Sequence, residues 1–243
     1  MSSSTLSSIN LEAKRLTKKI SDRSLKVKLL GGLAVWMSCP SAELPGLARN
    51  YGDLDFISPK KEARTFGEIL VSSGYVEDKR FNAIHGATRL IFLDEVNDRP
   101  IDVLIDDFKM CHSIELKNRI NQENAWITPE DLLLTKLQIV SINEKDFLDI
   151  VALLLDQEFD LEYLSKILGN DWGFEKTVLQ NLIKSSKYLE SIELQSQLRE
   201  SAKNNCQKLI SQIENSKKSL NYKLRAKIGD KLPWYDEPEE LVH

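Results

Sequence analysis

The segment Gly52-Asp53-Leu54-Asp55-Phe56-Ile57-Ser58 constrains this chain more than any other. It has the apolar character of a buried strand, yet it carries two aspartates one residue apart. Side chains alternate across a strand, so Asp53 and Asp55 share one face while Leu54 and Phe56 take the other. Aspartate is disfavoured in strands, and a pair on one face calls for a reason. A third acid repeats the pattern in Ile101-Asp102-Val103-Leu104. If the two strands are neighbours, carboxylates about 5 Å apart repel by about 3 kcal/mol at an effective dielectric of about 20. Such crowding is relieved by retained protons or by a cation. A hard divalent ion suits an all-oxygen donor set, and Mg²⁺ characteristically combines carboxylates with phosphate oxygens. The competing reading is an exposed strand with solvated acids.

Upstream, Lys26 to Leu30 reads as a strand that runs into Gly31-Gly32, after which Leu33 to Ser38 begins a short helix stopped by Pro40. A strand-to-helix turn without side chains leaves backbone N–H groups open at the helix start, a geometry that suits phosphate. Glycines at such a point also serve simply as turn residues. A phosphate cradle followed by a carboxylate pair and a third acid together describe metal-dependent phosphoryl transfer.

The surrounding pattern predicts an α+β domain over 1–127. It starts with a helix from Ile9 to Ser21, followed by an irregular stretch from Pro40 to Asn50. A strand over Asp53 to Ile57 leads into a helix that starts at Ser58-Pro59 and runs to about Val71. Strands follow at Arg89 to Leu93 and Ile101 to Ile105, with a further one at Asn124 to Ile127. The second region, 128–243, reads as all helical. Thr128-Pro129-Glu130-Asp131 is a helix start with a capping hydroxyl, an early proline and acids at the dipole's positive end. That helix extends to Val140. The next spans Lys145 to Leu155, and another runs from Asp160 to Leu168 and ends at Gly169. Two longer helices cover about Phe174 to Glu193 and Leu194 to Ser216. The expected architecture is thus a mixed β-sheet flanked by helices, followed by a helical C-terminal region.

With 33 Lys and Arg against 37 Asp and Glu, the formal charge of −4 argues against a general polyanion binder. The stretch Arg199 to Lys231 is nevertheless basic, which keeps RNA in view, and Asp236 to Glu240 is acidic. Three cysteines, far apart and odd in number, suggest reduced thiols and a cytoplasmic setting. No apolar run reaches membrane-spanning length, and the first residues lack the apolar core of a secretory signal.

The order Gly31-Gly32, Asp53-Leu54-Asp55, Asp102 resembles the nucleotidyltransferase superfamily typified by DNA polymerase beta. Arg49-Asn50-Tyr51-Gly52-Asp53-Leu54-Asp55-Phe56 is especially similar to an element of the abortive-infection, or type IV toxin–antitoxin, nucleotidyltransferase toxins. The resemblance covers roughly Leu29 to Leu155. It implies that Asp53, Asp55 and Asp102 hold Mg²⁺ (or Mn²⁺) and carry the catalysis, with Gly31 and Gly32 meeting phosphate. It further implies that Arg49 and Lys136 pair with the triphosphate of a bound NTP. Such toxins also carry an acid on a helix after the sheet; here Asp146 is the first choice and Asp149 the alternative. The implied reaction moves a nucleoside monophosphate from NTP to an acceptor hydroxyl on RNA (such as a tRNA end), protein or a small molecule, and an antitoxin-like partner protein belongs to the same picture. Leu33 departs from the pattern, standing where a hydroxyl residue often helps to hold phosphate. The gap from Gly32 to Asp53 is also longer than in minimal members. A non-catalytic nucleotide-binding or regulatory module of the same fold is the alternative.

Overall fold

A computed structural model describes residues 4–120 and 124–237. The chain divides into two compact units. The first comprises residues 1–38, 50–108 and 114–128, the second 39–49, 109–113 and 129–243.

The first unit is α+β. Helix α1 (Ile9–Asp22) buries Ala13, Leu16, Thr17 and Ile20, positions recurring every three or four residues along one face. It begins where the Ser8 hydroxyl accepts the Leu11 N–H. Strand β1 (Lys28–Leu30) passes without a loop into α2 (Gly31–Ser38). Next come β2 (Leu54–Ser58), α3 (Lys60–Ser72), β3 (Val76–Glu77), α4 (Lys79–His85), β4 (Arg89–Asp94) and β5 (Arg99–Ile105). The five strands form one mixed sheet in the order β1-β2-β5-β4-β3. β2 lies parallel to β5, and β4 runs antiparallel to β5.

One face of this sheet carries Leu54, Phe56, Phe92, Ile101 and Val103, all at most 2% exposed. Phe56 meets Phe66 of α3 edge-on, with ring centroids 5.1 Å apart. Two buried acids in this unit are surrounded by donors. Glu12 accepts from Arg15 and from the Tyr75 hydroxyl, while Asp94 accepts from Thr5, Asn97 and Arg99. Burial would raise both carboxyls, but these donors outweigh it and hold them below their usual range. The strand expected at Asn124 to Ile127 is reduced to a single parallel bridge between Leu29 and Trp126. β3 and α4 are additions that the sequence did not announce. A small two-stranded sheet pairs β6 (Asp107–Lys109) with β7 (Ser113–Glu115).

The second unit is helical: α5 (Pro129–Leu137), α6 (Glu144–Asp156), α7 (Leu161–Leu168), α8 (Trp172–Tyr188), α9 (Ser196–Glu214) and α10 (Leu220–Ile228). The stretch expected as loop at Pro40 to Asn50 contributes a short 3-10 turn, Pro40–Glu43. Its Ser41 N–H donates to Asp156 at 2.7 Å. Helix α5 stops three residues before the expected Val140. The Asn181 amide donates to the carbonyls of Leu137 and Ile139, both at 2.8 Å, and so takes up acceptors that the helix leaves open there. Among the described residues, no helix is long and apolar enough to cross a membrane. All three cysteines are buried free thiols. The acidic stretch Asp236 to Glu240 lies outside the described residues from position 238 onward.

Candidate active site

The strongest feature of the first unit is the alignment of β2 with β5. They are adjacent and parallel, and Asp55 stands directly opposite Asp102 in the register. Both acids are half-buried, whereas their neighbours Leu54, Phe56, Ile101 and Val103 are sealed beneath the sheet. The two side chains therefore leave the same face of strands whose backbones lie about 4.8 Å apart. Asp53 precedes the first paired residue of β2 and is exposed.

The Gly31 turn lies against Asp55. Gly31 has φ +70°, a backbone conformation that glycine adopts without steric cost. A Cβ built on Gly31 would come within 2.1 Å of the Asp55 Oδ2. Glycine is thus required twice, once for the turn and once to let the Asp55 carboxylate approach the backbone where α2 begins. Gly32 is the second residue of that helix.

Asp102 has a partner that the sequence reading missed. Arg89 of β4 directs Nε to both carboxylate oxygens, at 2.8 and 2.9 Å, and Nη2 to Oδ2. Register explains the contact. Ile91 lies opposite Asp102 and Arg89 is two residues along, so all three side chains share a face. Strand alternation would have put Arg89 and Asp102 on one face once the β4–β5 register was known. The pair is only partly shielded, with side-chain exposures of 29% for Arg89 and 22% for Asp102.

The donor set matches a hard divalent cation in kind, since three carboxylates supply only oxygen. The arrangement does not close around one: among the described residues, no three His, Cys, Asp or Glu side chains are grouped to hold a metal. Asp102 is engaged by Arg89, and Asp53 is exposed at the strand entry.

Arg49, Lys136, Asp146 and Asp149 belong to the second unit. There they form a buried network of two cations and two anions. Arg49 grips Asp149 with Nε at 2.9 Å and Nη2 at 2.7 Å. Lys136 reaches Asp149 at 2.8 Å and Asp146 at 3.4 Å. Asp149, 3% exposed, is the hub, and Asp146, preferred from sequence, is the lesser partner. The backbone explains the difference, because Asp146 closes a capping box with Asn143 at the start of α6. Burial works to lower the Lys136 pKa, but Asp149 and then Asp146 outweigh it and hold the ammonium above its ordinary value. Arg49 and Lys136 are therefore ion-paired within their own unit.

Other charged residues have partners of their own. Asp106, with φ +63°, accepts the Lys60 N–H at 3.0 Å at the start of α3. In the basic stretch, Arg199 donates to the carbonyls of Leu189 and Ile192, and Arg225 to those of Gly229, Leu232 and Pro233. Lys203 pairs with Glu190, and Lys218 with Glu175. Lys208, Lys217, Lys223, Lys227 and Lys231 of the same stretch are exposed.

Neither the protein-family models nor the curated proteins compared with this chain gave a match.

Proposed function

We propose that the chain is a nucleotidyltransferase, moving a nucleoside monophosphate from an NTP to an acceptor hydroxyl with release of pyrophosphate. The observation that supports this reading is the in-register pair Asp55–Asp102 on one sheet face, with the Gly31 turn pressed against Asp55. Two acids on adjacent strands beside a helix start are costly for stability alone and useful for handling a polyphosphate. Asp53, Asp55 and Asp102 would hold Mg²⁺ or Mn²⁺, which when bound neutralises phosphate charge and lowers the pKa of an attacking hydroxyl. Gly31 and Gly32 would offer backbone N–H groups to phosphate oxygens. Asp102 also stands as an acceptor for the proton leaving the hydroxyl as it attacks the α-phosphorus. The likeness of Arg49 to Phe56 to the type IV toxin–antitoxin nucleotidyltransferases supports the same reading. It brings RNA, protein or a small molecule as acceptor and an antitoxin-like protein as partner.

A second reading, a non-catalytic nucleotide-binding or regulatory module, is favoured by one observation, the commitment of Asp102 to Arg89. Thermal melting followed by label transfer separates the two, since only an enzyme leaves label on an acceptor. A ligand at about a hundred times its Kd adds about 2.7 kcal/mol, which for a chain of this size raises the melting temperature by about 5–10 °C. The enzyme reading expects such a rise with Mg²⁺ or Mn²⁺ plus an NTP, and its loss when Asp53→Ala and Asp55→Ala are combined. Radiolabelled NTP incubated with total RNA and protein should then leave label on one of the two. A melting temperature indifferent to the metal with any of the four NTPs would sink the catalytic reading.

A further inference from the structure

We infer that Arg89 is a resident counter-ion of the proposed site, exchanging its hold on Asp102 for the phosphates of an incoming nucleotide. This rests on the nucleotidyltransferase reading and deepens it. Three observations carry it. The Arg89 guanidinium spans both oxygens of Asp102, the acid in register with Asp55. No three acidic side chains among the described residues are grouped to receive a metal. The Arg89–Asp102 pair is also partly open to solvent, so the arginine side chain can leave without unpacking the core beneath the sheet.

A divalent cation on Asp102 competes with the guanidinium, because both draw on the same two oxygens. Arginine stays charged at any ordinary pH, so it cannot leave by losing a proton and must find another anion. A triphosphate beside Gly31 and Gly32 supplies that anion in the bidentate form that a guanidinium prefers. Metal alone must break an ion pair without replacing it, and nucleotide alone finds the arginine already engaged. Together they complete the exchange, so each tightens the binding of the other by the same factor. Arg89 thus makes the site responsive to the metal–nucleotide complex rather than to free metal.

Titration of the full chain with Mn²⁺, read by electron paramagnetic resonance with and without a non-hydrolysable NTP analogue, tests this without reference to activity. The wild type should bind free Mn²⁺ weakly and tighten about tenfold with the analogue, within the usual span of coupling factors. Arg89→Gln should bind free Mn²⁺ about tenfold more tightly than wild type and lose most of the coupling. Arg89→Lys, which keeps the charge without the fork, should fall between them. Melting curves of both variants establish that they are folded. If Arg89→Gln only lowers the melting temperature and leaves Mn²⁺ affinity and coupling unchanged, while Asp102→Asn still weakens Mn²⁺ binding, Arg89 is a structural partner. The nucleotidyltransferase reading then stands without it. If no protein binds Mn²⁺ even with the analogue, that reading fails and takes the inference with it.

Discussion

At the scale of the residue, Gly31 shows how one position serves turn, sheet and site together. Its positive φ costs a residue with a Cβ about 1–2 kcal/mol. A Cβ at this position would lie 2.1 Å from Asp55 Oδ2, a collision that only movement of the carboxylate or of the turn relieves. Gly31→Ala should therefore lower stability in urea by about 2 kcal/mol or more. It should also displace Asp55, so any nucleotide-dependent rise in melting temperature falls with it. Gly52→Ala is the matched control, because a Cβ there meets nothing within 4 Å. It should be neutral or slightly stabilising through the unfolded chain. Equal losses at the two glycines would contradict the steric account.

At the scale of the element, the network joining α5 and α6 makes a quantitative claim about which acid matters. Asp149→Asn strips the hub from two buried cations, and breaking a buried pair typically costs about 3–5 kcal/mol. Asp146→Asn loses a 3.4 Å contact and part of a capping box, which is worth about 1 kcal/mol. Urea unfolding should rank them in that order, and the reverse ranking would return Asp146 to the centre. The elements themselves were readable where one local force dominates. The alternation of Asp53 to Ile57 announced β2, and Thr128-Pro129-Glu130-Asp131 announced the start of α5. What escaped the sequence depends on partners far along the chain. The two-residue strand β3 exists by pairing with β4, and the Asn181 amide that takes up the last carbonyl of α5 lies 44 residues on. The Arg89–Asp102 contact needed the β4–β5 register, which no local pattern fixes.

At the scale of the whole molecule, the mixed α+β class and the helical C-terminal region follow from the change of period at Thr128, from strand alternation to helical stripes. Inclusion of 39–49 and 109–113 in the helical unit could not be read that way, since neither segment has a period of its own. The two units also differ in how acid should reach them. In the first, Glu12 and Asp94 have pKa values held below their ordinary 4.5 and 3.8. Their stabilisation is present above those values and lost as pH falls through the lowered ones, so this unit should hold steady down to about pH 5. In the second, burial lowers the pKa of His112 below 6.5, with Asp171 and Asp236 pulling weakly the other way. The Thr177 hydroxyl donates to the Gly173 carbonyl at 3.1 Å, so it accepts from His112 Nε2 at 2.9 Å, and the ring stacks on Phe174 at 4.8 Å. The folded unit thus prefers the neutral ring. Its contribution is complete above 6.5 and declines as pH falls from there toward the lowered value, because the unfolded chain binds the proton first. Hydrogen exchange at pH 7.5 and 5.5, corrected for intrinsic rates and followed peptide by peptide, should show protection falling in α8 and its neighbours while β2 and β5 keep theirs. His112→Gln keeps a donor for Thr177 and cannot charge, so it should remove that difference. A pH-dependent loss in α8 that survives His112→Gln would assign the effect to another group.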